Sequence, residues 1–444
     1  MHTNSPSDTQ RSGLAAAPLR HLLLWACAAL VGGCAGPGVA PSASTPATDA
    51  TVAAASPAPA APPAAPTPPP PPPPPPILPF DEAVLSAATN LLEKAQLSGD
   101  APGGRYDVVI DPLIDGVTGQ QSVATKAMGA RIVRLIRESY PARYAVQPFN
   151  TSAVQKGPLL LVGTFTGVNA ERKTEGHREA FRICLALADL KTGKLVSKGL
   201  AFAKADGVDI APLPAFRDAP AWSDDAATNG YIRTCQGTRA GDVINPMYVN
   251  RIVTSATIAE AADAYSEGKY SNALKLYQTA AKSPGGDQLR TYTGLYLTSW
   301  RLGRQGDAAK AFGQIVDQGL ESKKLGVKFL FKPSTATLWS DPKAGPPAPY
   351  AMWLREIATR ASKHKDTCLG VVGHTSATGS EPANEKLSLQ RAEVIGKEIV
   401  RAARALDKKV IPNGVGSKQT LIGNGRDDHT DALDRRVEFR VVGC

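Results

Sequence analysis

The unbroken run Pro68 to Pro76 constrains this chain more than any other feature. Proline has no backbone N–H and a fixed φ, so such a run joins neither a helix interior nor a central strand and is held in extended polyproline II. Around it, residues 35 to 79 are dominated by Ala, Pro, Ser and Thr, with little that forms a core. Residues 34–79 therefore read as a disordered Ala/Pro-rich tether, and folded domains are expected after it. At about 3.1 Å per residue, an extended segment of this length reaches on the order of 100 Å.

What precedes the tether explains its place. Arg11, Arg20 and His21 lead into the apolar run Leu22 to Val31, too short to span a bilayer as a helix but suited to the core of an export signal. The run ends in Leu30-Val31-Gly32-Gly33-Cys34, which resembles a bacterial lipobox. The resemblance implies a signal peptide over 1–33, diacylglycerol on the Cys34 sulfur and, with Ala35 rather than aspartate next, delivery to the outer membrane facing the periplasm. Cys27 is the rival acceptor, but the bulky Trp25 stands where a small residue is wanted. Acyl chains on Cys34 would hold the protein to lipid, each buried methylene contributing about 0.8 kcal/mol. The proline run then reads as a spacer behind an anchor rather than as a ligand for a proline-binding domain.

With 444 residues the chain exceeds one ordinary core, and several domains are expected. Its formal net charge is +10, and +9 once Asp8, Arg11 and Arg20 leave with the signal. The positive residues are scattered rather than clustered, so nucleic acid is not the expected partner. Beyond Cys27 and Cys34 remain Cys184, Cys235, Cys368 and Cys444. In an oxidising compartment these allow two bridges, and spacing does not choose among the three pairings.

Residues 80–250 alternate strand-like and helix-like stretches, which implies an α/β domain. Tyr106 to Ile110 is β-rich, Ser122 to Glu138 places Met128, Ile132 and Leu135 on one helical face, and Tyr144 to Phe149 is extended. Strands follow at Leu159 to Thr166, Phe181 to Leu190 and Leu195 to Ala203, the last two joined by the hairpin signal Lys191-Thr192-Gly193-Lys194. This order, with "DPLIDGVTGQQS" after the first strand, resembles periplasmic lipoprotein domains of the LpoB and CsgG type. Gly116 and Gly119 read as a turn before a helix, since no lysine follows at nucleotide-binding spacing.

Residues 251–322 are helical and repeat: Gly268, Ala273 and Tyr277 recur 35 residues later as Gly303, Ala308 and Phe312. The stretch "YSEGKYSNALKLYQTAAKSP" resembles a tetratricopeptide repeat, with Gly268 at the turn, Ala273 at the close approach, and Tyr277 and Ala280 inward. Two such units are few, so they are expected to lean on the domains either side.

Residues 323–444 carry the most specific motifs. Val327 to Phe331 is a strand; Leu354, Ile357, Ala358 and Ala361 mark a helix; Leu369 to Gly373 is a strand running into "GHTSATGSEPANEKLSLQRAEVI"; and Ile395, Ile399, Ala402 and Leu406 continue the next helical face. With the ending "GVGSKQTLIGNGRDDHTDALDRRVEFRVV", this segment resembles the OmpA-like peptidoglycan-binding domain, which implies a βαβαβ sandwich. It also implies that Thr375, Ser376, Asn384 and Arg391 border the wall-peptide site, with Arg391 holding a carboxylate. The family's aspartate position is Ser376 here, so the counter-charge for the ligand's ammonium is missing and affinity is expected to be weak. Glu381 and Asp428 are the acids considered for the pocket, but Glu381 reads as a helix N-terminal acid and Asp428 as an exposed loop charge. The family fold further implies a bridge between Cys368 and Cys444, since its last strand runs antiparallel beside the second; Cys184 and Cys235 are then left to pair.

Catalytic and metal-binding patterns are absent or accidental. Ser266 to Lys269 fits Ser-x-x-Lys, but within a repeat turn and without partner motifs. The expected protein is a multidomain α/β envelope lipoprotein, not an enzyme, without cofactor or metal. Its expected partners are outer-membrane lipid and peptidoglycan. The alternative is a periplasmic scaffold that recruits a cell-wall enzyme or secretion component, an unidentified envelope protein, through residues 80–322.

Overall fold

The computed structural model describes residues 74–444 except 98, 100, 175–177, 341–346, 365, 422, 424 and 426–428. Cys34 and the proposed signal lie outside the described residues. The described residues form one compact unit.

The chain enters that unit through β1 (Ile77–Leu78), followed by α1 (Phe80–Glu93), β2 (Tyr106–Ile110), β3 (Ile114–Asp115), α2 (Val123–Ser139), β4 (Tyr144–Gln147) and α3 (Thr151–Gln155). The long strands β5 (Leu159–Val168), β6 (Ala180–Asp189) and β7 (Lys194–Lys204) then form an antiparallel meander, with the expected hairpin between β6 and β7. The sheet order is β1-β7-β6-β5-β2-β4, with β3 beside β5. Two features differ from the sequence reading. Ile77 and Leu78, assigned to the tether, pair in parallel with Phe202 and Ala203 of β7. The inward face of α2 is Met128, Ile132 and Ile136, with Leu135 only half-buried.

Helix α2 starts where Ser122 and Thr125 exchange side-chain and backbone hydrogen bonds, a reciprocal cap. Helix α1 buries Ala83, Ala87, Ala88 and Leu91. It lies so close to β7 that a Cβ on Gly199 would stand 2.1 Å from the Ala87 carbonyl oxygen, which only glycine permits. The opposite face of the sheet is covered by α5 (Ala226–Cys235) and α6 (Pro246–Val249), reached through α4 (Pro214–Arg217). The result is a helix–sheet–helix stack with a core on each face.

Four helices follow, α7 (Ile252–Ser266), α8 (Tyr270–Lys282), α9 (Leu289–Arg301) and α10 (Gln305–Glu321). Gly268 and Gly303 turn the two hairpins at φ +77° and +72°. The repeated Ala273, Ala308, Tyr277 and Phe312 are all buried.

The last segment contains β8 (Phe329–Leu330), α11 (Tyr350–Ala361), β9 (Thr367–Gly373), α12 (Glu381–Ala402), β10 (Val410–Gly414), α13 (His429–Asp434) and β11 (Arg436–Gly443). Its sheet runs β10-β9-β11-β8, with β10 parallel and β11 antiparallel to β9. The first strand is shorter than its sequence suggests, and α12 stops at Ala402, so Leu406 is buried from a separate turn. Val442 pairs with Cys368, and a disulfide joins Cys368 to Cys444 with Cα atoms 5.0 Å apart.

The helical repeats and this last segment share one core. Phe312 stacks on Trp353, Phe329 meets Trp353 and Phe439 edge-on, and the Trp353 indole N–H donates to the Tyr296 hydroxyl at 3.0 Å. Arg360 of α11 reaches Asp317 of α10 across the open side of Gly313.

Candidate ligand-binding site at the end of β9

Strand β9 ends against α12 with no room for side chains between them. A Cβ on Gly373 would lie 1.9 Å from the Ser388 carbonyl oxygen, and one on Gly414 of β10 would lie 2.5 Å from the Leu389 nitrogen. The Ser388 hydroxyl accepts from Gly416 N–H at 2.9 Å, and Thr375 N–H donates to the Gly416 carbonyl at 2.9 Å. These contacts fix the turn His374-Thr375-Ser376 at the N-terminal half of α12.

Three of the residues singled out by sequence gather in that turn. The Ser376 and Thr378 hydroxyls are 2.9 Å apart, and the Asn384 amide donates to the Thr378 carbonyl at 3.2 Å. Thr375, Ser376 and Asn384 are buried, and the Thr375 hydroxyl has no hydrogen-bond partner. His374 is also buried, and neither ring nitrogen is hydrogen-bonded. Burial, reinforced by the nearby Arg436 charge and only partly offset by Glu438, pushes its pKa down to about 3. The imidazole is therefore neutral at pH 7, and its 3.9 Å approach to Glu438 is not an ion pair.

Arg391 lies beneath this turn and is fully buried. Its Nε donates to the Thr335 carbonyl at 2.9 Å, Nη1 to His374 at 3.0 Å and Nη2 to Lys332 at 3.1 Å. Burial lowers its pKa to about 10, so it stays cationic. No carboxylate pairs with it among the described residues. The expected direct fork onto a ligand carboxylate is thus occupied by three carbonyl dipoles. What remains available at the turn is an uncompensated positive field.

Other functional-looking residues were not legible in the sequence. Asp431 and Asp434, fully buried on α13, receive the backbone N–H groups of the preceding loop: Gly425 on Asp431 at 3.0 Å, and Leu421 and Gly423 on Asp434 at 2.7 and 2.8 Å. Their i, i+3 spacing in "DALD" is the signal that could have found them. Arg178, from the loop before β6, reaches across to donate to the Leu421 carbonyl at 2.7 Å. It passes Gly167, where a Cβ would stand 2.2 Å from its Nε. Glu381 sits in the first turn of α12, the expected place for an acid, and its Oε2 accepts from Ser417 at 2.6 Å. Asp428 lies outside the described residues. In the α/β layer the Cys184 and Cys235 sulfurs are 2.6 Å apart as thiols, both buried. Burial pushes the Cys235 thiol well up.

Among the described residues no group of three or more His, Cys, Asp or Glu is placed to hold a metal, and no helix is long and apolar enough to cross a membrane.

Residues 330–432 match the OmpA family. Outer membrane protein A of Serratia marcescens is 30% identical over 159 residues, covering 33% of this chain and 42% of that relative, so the chain spans less than half the relative's length. Among solved structures, the peptidoglycan-associated lipoprotein of Burkholderia pseudomallei is 17% identical, with a TM-score of 0.23 over 26% of this chain and 89% of that one. An outer membrane protein of Borrelia burgdorferi is 23% identical, with a TM-score of 0.19 over 26% and 84%.

Proposed function

We propose, from the OmpA-family domain at residues 330–432, that this chain is a non-catalytic envelope lipoprotein linking the outer membrane to peptidoglycan. In this reading acylated Cys34 holds the lipid end, residues 34–79 supply reach, and the last domain docks on the wall. The observation that carries it is the family match together with the β9-end turn, where Thr375, Ser376 and Asn384 sit over the buried charge of Arg391. Arg391 has two tasks here. It ties Lys332, Thr335 and His374 into one scaffold, and its field draws a ligand carboxylate towards the turn. Ser376 contributes a hydroxyl but no charge, so the turn alone binds more weakly than one carrying aspartate.

Sedimentation of the mature chain with purified sacculi tests the wall end. Co-pelleting that fades as salt rises is expected, and a chain that stays in the supernatant at low salt defeats the reading. Mass spectrometry of the N-terminal peptide tests the lipid end, with diacylated Cys34 as the expected species.

A further inference from the structure

A cavity of about 60 Å³ lies where three parts of the chain meet, and it shares no lining residue with the β9-end turn. Its walls are the end of α4 with Asp218, the helices α7 and α9, and, from the last segment, Lys328, β8 and α11. The volume is that of about two water molecules. Leu330 and the rings of Tyr265, Tyr350 and Trp353 give it an apolar lining.

The polar groups that line it are donors whose acceptors are missing or inadequate. Lys328 is only 3% exposed, and among the described residues no carboxylate forms an ion pair with it. Its ammonium has the Phe216 carbonyl at 3.5 Å, an oxygen that the Gln120 amide also approaches at 3.5 Å, and the Trp222 ring at 4.5 Å. Burial pushes its pKa down to about 7, against the attraction of Asp218 and Glu438 and with the repulsion of Arg436. The Trp300 indole N–H is buried without an acceptor. The Tyr296 hydroxyl accepts from Trp353 at 3.0 Å, and among the described residues its own proton meets no acceptor. Asp218, the acid among the described lining residues, is already engaged: Oδ1 accepts from Arg217 at 2.8 Å, and Oδ2 from Arg301 at 2.7 Å and Tyr265 at 2.9 Å. Buried donors without acceptors and a buried cation without a counter-charge are both unfavourable. One small anion corrects all of them.

We infer that this cavity binds a small monocarboxylate of about acetate's size, its oxygens taking the Lys328 ammonium, the Trp300 N–H and the Tyr296 O–H. A carboxylate is acceptor-only and carries the missing charge, while its apolar end lies against the aromatic rings. Filling the site is coupled to a proton. Lys328 is cationic in the filled site and largely neutral in the empty one above pH 7, so binding there takes up a proton. Because the walls come from α4, the helical repeats and the last segment, the bound anion ties the three together. The inference stands apart from the wall-docking reading and does not depend on it.

The test titrates the full-length chain with acetate and with acetamide, which share a shape and differ in charge, and reads saturation transfer to their methyl protons by NMR. Acetate is expected to bind about ten-fold tighter or better. From pH 7 to 9, where acetate stays ionised, its affinity is expected to fall by up to about ten-fold per unit as Lys328 loses its proton. Trp300→Phe, which keeps an aromatic ring and removes the N–H, is expected to weaken acetate by about three- to ten-fold. Lys328→Met is expected to remove both the binding and its pH dependence; if that chain does not fold, the pH profile and Trp300→Phe decide. Equal binding of acetate and acetamide, no saturable acetate signal, an affinity that stays flat between pH 7 and 9, or a Trp300→Phe chain that binds like the parent overturns the inference.

Discussion

Phe312 of the second helical hairpin and Trp353 of α11 lie face to face, their ring centroids 5.4 Å apart and their planes 10° from parallel. The two rings come from segments that read as separate domains, so each segment completes the other's core. Phe312→Ala is expected to cost about 3 to 5 kcal/mol, as for large core aromatics. The loss should show as a lower urea midpoint reported by Trp353 fluorescence. A fragment beginning at residue 323 should unfold more readily than the same residues in the full chain.

The Cys368–Cys444 bridge closes a loop of 76 residues at the end of β11. In the chain-entropy account its reduction costs roughly 3 to 5 kcal/mol. Thermal melting of the parent against Cys444→Ser, both without reductant, measures this, since reductant would also open a Cys184–Cys235 bridge. Non-reducing peptide maps of protein extracted from an oxidising compartment should also recover Cys184 linked to Cys235, whose sulfurs already touch.

His374 makes stability fall with acid. Its folded pKa, about 3, lies below the ordinary 6.5 because burial disfavours the imidazolium. Between those values the unfolded chain binds the proton and the folded chain does not, so stability rises with pH by up to about 1.4 kcal/mol per unit across the window. Asp111 acts in the opposite sense, since burial raises its pKa to about 6. The clean measurement is therefore the difference between the parent and His374→Asn in urea unfolding from pH 4 to 7. That difference should shrink as pH falls.

Ser376→Asp is expected to tighten sacculus binding by about ten-fold, by adding the charged acceptor that the turn lacks. Arg391→Ala should abolish binding and also lower stability by at least about 3 kcal/mol, because three buried carbonyls lose a charged donor. Unchanged binding in Ser376→Asp would move the wall contact away from the β9 end.

The parts of this fold that were legible in the sequence are those written in local pattern. The β6–β7 hairpin and the glycine-turned helical hairpins show in residue spacing, because neighbours in space there are neighbours in sequence, whereas the turn into α12 was legible through the family resemblance. Strand β10 and helix α13 passed unnoticed: Val410–Gly414 is short, half exposed and interrupted by Pro412, and His429–Asp434 follows a polar loop. Arg178 was beyond sequence reasoning altogether. Its partner Leu421 is 243 residues away. The placement of Arg391 was legible, but its partners were not, since Lys332 and Thr335 become neighbours only when the first strand folds over α12.

The pairing of β1 with β7 decides how this molecule carries mechanical load. A pull transmitted along the chain from before residue 74 arrives first at Ile77 and Leu78, which hold the sheet edge by only two residue pairs. Behind them stands the whole of β7, bonded to β6 along its length. The entry point is thus a short peelable rung in front of a stiff plate. Under modest tension β1 should release and free a few residues, while the sheet, the shared aromatic core and the disulfide-closed end stay intact.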